Sequence, residues 1–357
     1  MSITIKEIAK LAEVSRGTVD RALNNRGRVA PDVKSKILRI ADQYGYKKNI
    51  IASQLAKSDS KYVGVILPDP YSDPYWSLPM EGINQAEKIV GDYGLNLVKY
   101  PFSVFDVKTY IAAIDAAIRE KVDAIILAPT FAKEASKYIR LAEQNDIPVV
   151  IIDSEIQSQL MVSYIGQDCH QSGKVAGRLL YDADVTDGVI YAITIGSDSL
   201  SGNHTNQKLE GLSNYIADQD VINIIDHRVI EIVDDFESIA KLSKVIAEDP
   251  KVIGIFFTNS RAYHFFEYEN ADLASQHIKI VGYDLLAMNV ELLQNDKISY
   301  LLNQNPHKQS YYAVLSLFDY FVHGKPLNSK EYLAIDIIIK ENCDYYLSSQ
   351  NRTIRMR

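Results

Sequence analysis

The sequence predicts a small all-α head followed by a larger α/β body of two doubly wound parallel-sheet lobes. Three observations predict it. The first sixty residues show three short stretches of helical periodicity. From Lys61 onward, short fully apolar runs alternate with amphipathic stripes, which is how strands covered on both faces and their crossover helices read. The chain has 357 residues, of which 47% are apolar, enough for more than one core. Charge divides the chain at the same place. Residues Met1 to Ser60 hold twelve Lys/Arg against six Asp/Glu, and the rest carries −14 of the net −8. A basic head on an acidic body points to local polyanion binding.

The head is read first. Thr4 and Glu7 form a capping-box pattern, and Ile5, Ile8, Ala9 and Ala12 follow at helical spacing. This predicts a helix from Ile5 to Glu13, broken at Val14-Ser15. Ser15 can cap a second helix running to about Asn24, with Val19, Ala22 and Leu23 inward. Pro31 suits the first turn of a third helix, whose stripe is Val33, Ile37, Ile40, Ala41 and Tyr44 before Gly45. Three helices with a tight turn between the first two make a helix-turn-helix. Arg16 and Arg21 can donate to guanine edges in a major groove. Ser15, Thr18 and the free amides of the helix start can donate to phosphates, and Gly17 permits close backbone approach. Asp20, on the same side as the arginines, is discordant.

The run TIKEIAKLAEVSRGTVDRALNNRGRVAPDVKSKILRIADQYGYKKN resembles the DNA-binding head of the lactose-repressor (LacI/GalR) family. Thr4 with Ile8-Ala9, Val14-Ser15 with Thr18-Val19, Arg21 with Leu23-Asn24, and Tyr46 carry the resemblance. It implies DNA contacts from Ser15, Arg16, Gly17, Thr18, Arg21 and Asn24. The next segment, NIIASQLAKSDS, is similar to that family's hinge, which implies a minor-groove wedge at Leu55. Ala52 and Ala56 would let two such helices approach, and Lys57 departs from a frequent glycine. The expected divisions are 1–48 for the head, 49–60 for the hinge and 61–357 for the body. Within the body, one lobe takes about 61–164 and 305–330, the other about 165–304 and 331–357.

The body's first strand-to-helix loop, PDPYSDPYWSLP, lacks a glycine fingerprint, and no phosphate loop, nucleophile elbow or zinc-protease motif occurs. His204 has no nucleophile beside it and reads as a surface or pocket histidine. An enzyme is therefore not expected, nor a cofactor or metal. Two distant cysteines, no apolar leader and no run of about 18 apolar residues predict a cytoplasmic protein outside the membrane. Ligands in such sheets bind beyond the carboxyl ends of strands. Acceptors, amides and rings collect there: Asp73, Tyr75, Trp76, Asp153, Asn206, Phe236, Asn259, Asp284 and Gln304. Rings sandwich a sugar's apolar faces while carboxylates and amides hold its hydroxyls.

The body is also similar to type I periplasmic sugar-binding proteins of the ribose-binding group, with those same residues at ligand positions. Two arginines of that group are replaced by Ser154 and Asn206. That leaves Asp153 and Asp284 less neutralised and points away from ribose, toward another pentose or hexose, an alditol or an amino sugar. The resemblance implies a transcriptional regulator, in repressor form, acting as a homodimer on a palindromic DNA operator and controlled by a sugar-like effector. The C-terminal stretch has no leucine heptads, so a tetramerising coiled coil is not expected. The alternatives are a solute receptor with no DNA role and a regulator of a non-sugar polar metabolite.

Overall fold

The computed structural model describes residues 5–23, 29–44, 60–156, 162–182, 187–196, 203–218, 224–268 and 278–351. The chain forms two compact units, Met1–Asp59 and Ser60–Arg357. Thr4, Asn24, Tyr46, Leu55 and the segment read as a hinge lie outside the described residues.

In the first unit, α1 (Ile5–Ala12), α2 (Arg16–Leu23) and α3 (Pro31–Gln43) enclose a core of Ile8, Ala9, Ala12, Val19, Ala22, Ile37 and Ala41. The first helix ends one residue earlier than expected. Glu13 takes a left-handed conformation (φ 59°), and the Val14 amide reaches back to the Ala9 carbonyl at 3.0 Å, closing the helix end. Ser15 then opens α2: its Oγ accepts from the Thr18 amide at 3.2 Å. Pro31 stands in the first turn of α3, as its fixed φ favours.

The second unit holds two six-stranded sheets. The first comprises β1 (Lys61–Ile66), β2 (Leu95–Lys99), β3 (Ala124–Leu127), β4 (Val149–Ile152), β5 (Val162–Gly166) and β11 (Lys330–Tyr332), in the order β11-β5-β4-β3-β1-β2 and parallel throughout. The second comprises β6 (Asp187–Ile195), β7 (Ile224–Ile232), β8 (Val252–Phe257), β9 (Lys279–Tyr283), β10 (Tyr300–Asn303) and β12 (Asp336–Ile338). Its order is β12-β10-β9-β8-β6-β7, and only β12 runs antiparallel. The chain thus crosses between lobes three times, after Gly166, after Asn303 and after Tyr332. The first and third crossings fall two residues later than the boundaries expected from the sequence.

The strand runs are continuously apolar because both sheet faces are covered. Val63 and Val65 serve one face of β1 and Ile66 the other; Val189, Tyr191 and Ile193 serve one face of β6, Ile190 and Ala192 the other. Each such Val or Ile side chain stabilises the fold by about 1.5–3 kcal/mol when fully buried. The covering helices are α4 (Ser77–Val90), α5 (Val107–Arg119), α6 (Ala132–Gln144) and α12 (Pro306–His323) in the first lobe. In the second they are α7 (Cys169–Leu180), α8 (Asn203–Ala217), α9 (Phe236–Ala247), α10 (Ala262–Tyr268), α11 (Ala287–Gln294) and α13 (Lys340–Asn351).

Two helix pairs pack too closely for a side chain between them. A Cβ on Gly82 of α4 would stand 2.1 Å from the His307 carbonyl oxygen of α12. A Cβ on Gly173 of α7 would stand 1.9 Å from the Lys208 carbonyl oxygen of α8. The second pair fixes where α8 delivers its side chains. Gly173→Ala should therefore cost about 1–3 kcal/mol by overpacking, read as a lower urea midpoint for the unfolding of the second unit. An unchanged midpoint would show that α8 can shift freely.

Candidate functional sites: a strand-end cleft and an exposed helix face

A cavity of about 100 Å³ lies between the lobes of the second unit. Each lining residue follows the carboxyl end of a strand. Asp73, Tyr75 and Trp76 follow β1; Val104 follows β2; Pro129, Thr130 and Ala132 follow β3; and Asp153, Ser154, Glu155 and Ile156 follow β4. The other lobe contributes Asn203, His204 and Lys208 after β6 and Asn259, Ser260 and Arg261 after β8, with Gln304 at the second crossing. This is where parallel α/β sheets bind ligands.

Asp73 caps a single 3₁₀ turn, Pro74–Trp76, by accepting from the Tyr75 amide at 3.1 Å. Its other oxygen accepts from Arg261 Nη2 of the opposite lobe at 2.8 Å, and both side chains are nearly buried. Arg261 also lies 3.5 Å from Asp234. The Tyr75 hydroxyl donates to Asp153 at 2.6 Å and accepts from Gln304 Nε2 at 3.1 Å. Burial, then Asp153 and Asp284, push that hydroxyl's pKa well above its ordinary value. The Trp76 ring meets Tyr75 edge-on, with centroids 5.0 Å apart.

Asp153 and Asp284 end β4 and β9 in left-handed conformations, at φ 72° and 61°. Non-glycine residues rarely adopt this state, and such strain concentrates at functional positions. The Asp153 amide donates to Gln309 Oε1 at 2.8 Å, and its carboxylate accepts from Ser154 at 2.9 Å. Ser154 has one proton and gives it to Asp153, so it accepts from His204 Nδ1 at 2.9 Å. Burial, reinforced by Lys208, lowers the His204 pKa to about 4 and keeps the ring neutral.

The structure brings Asp73, Tyr75, Trp76, Asp153, Asn259 and Gln304 together around the cavity. Asp284 is fully buried behind the wall, where Gln304 donates to it from Nε2 at 2.8 Å and from its amide at 3.3 Å. Burial raises its pKa to about 7, against the lowering by those hydrogen bonds. Two further candidates do not line the cavity either. Asn206 is exposed: on α8 it lies two residues, roughly 200° of helix, away from His204, which faces inward. Phe236 begins α9, is 59% exposed and packs edge-on against Tyr268 at 5.9 Å.

The sequence reading missed two cations. Lys208 is four residues beyond His204 on the same helical face, and its Nζ donates to the Thr258 carbonyl at 2.8 Å and lies 3.8 Å from the Tyr283 ring centre. Arg261 sits two residues past Asn259. Lys208 favours the charged form of Asp284 from a distance, against its burial, whereas Arg261 is taken up by Asp73 and Asp234. A helical wheel of residues 203–217 would have revealed Lys208; Arg261 carried no periodic signal. Among the described residues no group of three or more His, Cys, Asp and Glu could hold a metal, and no helix is long and apolar enough to cross a membrane.

In the first unit, Ser15, Arg16, Gly17 and Arg21 are exposed on α2, with Thr18 half-buried. Arg21 folds back, its Nε donating to the Gly17 carbonyl at 3.1 Å and its Nη2 to Thr18 Oγ1 at 3.4 Å. Gly17 has open space around it: a Cβ there would meet only Ser15 Oγ, at 3.8 Å.

Over residues 63–326 the chain belongs to the family of the periplasmic binding protein domain, and residues 4–49 match the bacterial regulatory proteins of the lacI family. It is similar to the "Probable HTH-type transcriptional repressor ExuR" of Bacillus subtilis (strain 168), at 33% identity over 46% of this chain and 47% of that protein. The chain spans about half the length of the first curated relatives it matches. A solved chain from Bacteroides fragilis, titled as a LacI transcriptional regulator by assignment, is 26% identical with a TM-score of 0.72, covering 81% of this chain and all of that one. A solute binding protein of an ABC transporter from Actinobacillus succinogenes 130z, solved with bound D-allose, shares the fold at TM-score 0.66 and 20% identity, over 80% of this chain and 100% of that one.

The Asp284 shift sets a sign for stability against pH. A carboxyl whose folded pKa lies near 7 rather than the ordinary 3.8 holds its proton better folded than unfolded. Its contribution is therefore harmless below about 4, and stability is lost as pH rises toward 7, with the loss complete above that. Asp284→Asn removes this dependence. The thermal midpoint of the variant relative to the wild type should rise between pH 5 and pH 8; a constant difference would remove the buried proton from the account.

Proposed function

We propose that this chain is a sequence-specific DNA-binding transcriptional regulator, acting as a repressor, whose sensor unit takes a small sugar-like effector between its lobes. The observation that carries this reading is a helix-turn-helix head with an exposed, arginine-bearing second helix in the same chain as a strand-end cleft of hydroxyl-binding groups. In the head, Ser15, Thr18 and the amides at the start of α2 hold phosphates. Arg16 and Arg21 reach base edges once Arg21 leaves its intrahelical bonds, and Gly17 lets the backbone approach the duplex. The family resemblance adds Asn24 and Leu55, both outside the described residues, to the proposed DNA contacts. Two heads of a homodimer would read a palindrome by matching its two-fold symmetry.

In the sensor, Tyr75 and Trp76 offer ring faces. Asp153, Asn259 and Gln304 offer acceptors and amides to a ring of hydroxyls. Lys208 adds an ammonium to these groups, which Asn206 and Phe236 do not join. A free solute receptor would have no use for the head. The match to lacI-family regulators and the repressor title of the ExuR relative support a regulatory role. The allose-bound relative supports a sugar as effector class.

The test is a gel-shift and footprint of the full chain on DNA flanking its own locus. The expected result is protection of a palindromic site. Arg21→Ala should cost on the order of 1–3 kcal/mol at one base position of that site and little on random DNA. An equal loss on both would confine Arg21 to phosphate contact, and absence of any preferred site would end the regulator reading.

A further inference from the structure

Among the described residues five charged side chains line the cavity, and three of them already have partners. Asp73 is paired with Arg261 at 2.8 Å, and Glu155 is paired with Lys330 outside the lining. Asp153 and Lys208 remain, one acid and one base. Among the described residues, neither has an opposite charge within ion-pair distance. Asp153 uses one lone pair of each oxygen on Tyr75 and Ser154 and has others to spare. Lys208 is only 2% exposed; it spends one ammonium proton on the Thr258 carbonyl and lies against the Tyr283 ring. A buried ammonium without a charged or fully hydrogen-bonded surrounding is costly, so this residue is poised for a ligand acceptor.

Building on the sugar-sensing reading above, we infer that Lys208 is a specificity-determining residue of the cleft, and that with Asp153 it selects a neutral polyhydroxylated effector, a neutral sugar or alditol, over a sugar acid or an amino sugar. The hydroxyl is the group that can serve both residues, donating to the carboxylate and accepting from the ammonium. It does so without adding charge to a wall whose acid and base already balance. A sugar acid or an amino sugar would add a net charge to that wall: a carboxylate that pairs with Lys208 leaves Asp153 without a counter-charge, and an ammonium that pairs with Asp153 leaves Lys208 without one, in a site largely shielded from water. Asp284 is separated from the cavity by Gln304, which donates to it. The neutral His204 adds hydrogen-bonding capacity and no charge.

The experiment is calorimetric titration of the full chain near neutral pH with three probe classes. These are a panel of neutral pentoses, hexoses and alditols that includes D-allose; D-galacturonate; and D-glucosamine. The wild type should bind a neutral probe more tightly than either charged one. Lys208→Gln should weaken the neutral probe on the order of 10- to 100-fold, the value of a charge-assisted hydrogen bond. It should also move selectivity toward glucosamine, whereas Asp153→Asn should move it toward galacturonate. A purely structural role for Lys208 would weaken all probes equally, and that outcome overturns the inference. So does a wild type that prefers a charged probe. Heat from no probe of any class would remove the sugar reading itself, and the inference with it, while leaving DNA recognition to its own test.

Discussion

The sensor depends on a hydrogen-bond chain that runs from one lobe to the other through the cavity wall. Asp153 accepts from Tyr75, Tyr75 accepts from Gln304, and Gln304 donates again to Asp284. The two aspartates end equivalent central strands of the two sheets. Gln304 sits at the second crossing and also accepts from Gln167, at the first crossing, at 2.6 Å. Cavity-lining groups and two of the lobe crossings therefore share one network. Any group that enters the cavity and bonds to Asp153 must compete with or extend this chain, which reaches both crossings.

A second tie, the Asp73–Arg261 pair, joins the lobes with charges instead of neutral donors. Both partners are nearly buried, so the pair's desolvation offsets much of its attraction; removing one partner would strand the other in a poorly hydrated site. Such a pair is better at fixing geometry than at adding stability. It also occupies the carboxylate of Asp73, whose other oxygen caps the turn carrying Tyr75 and Trp76. Asp73 thus acts on the ligand wall by holding those two rings in place.

Much of this was legible in the sequence, for physical reasons. Apolar runs such as AIIL and VVII read as strands because both sheet faces are covered. Strand-end residues such as Asp153 and Asn259 read as ligand positions because parallel sheets place their carboxyl ends at the cleft. Orientation is what the sequence does not carry. Asn206 reads as a strand-end amide standing where the ribose-binding group has arginine, but helical geometry turns it outward and turns His204 and Lys208 in. Phe236 follows β7, yet it opens α9 with its ring on Tyr268. Asp284 follows β9 but is fully buried, held by Gln304. Arg261 was missed because its importance arises only when the opposite lobe presents Asp73, 188 positions away in sequence. Contacts across lobes leave no periodic trace.

In a regulator of the proposed kind, DNA recognition and effector binding are energetically linked. Binding free energies are reciprocal, so an effector that alters operator affinity must have its own affinity altered by the same factor. The most direct measurement is fluorescence anisotropy of the full chain on its operator, with and without a saturating neutral sugar whose binding has been established by calorimetry, together with the converse titration of sugar with operator present. The account predicts a change in operator affinity of about 5- to 150-fold, in either direction, matched by the same factor in the converse titration. Identical operator affinity with the cleft full or empty would contradict it.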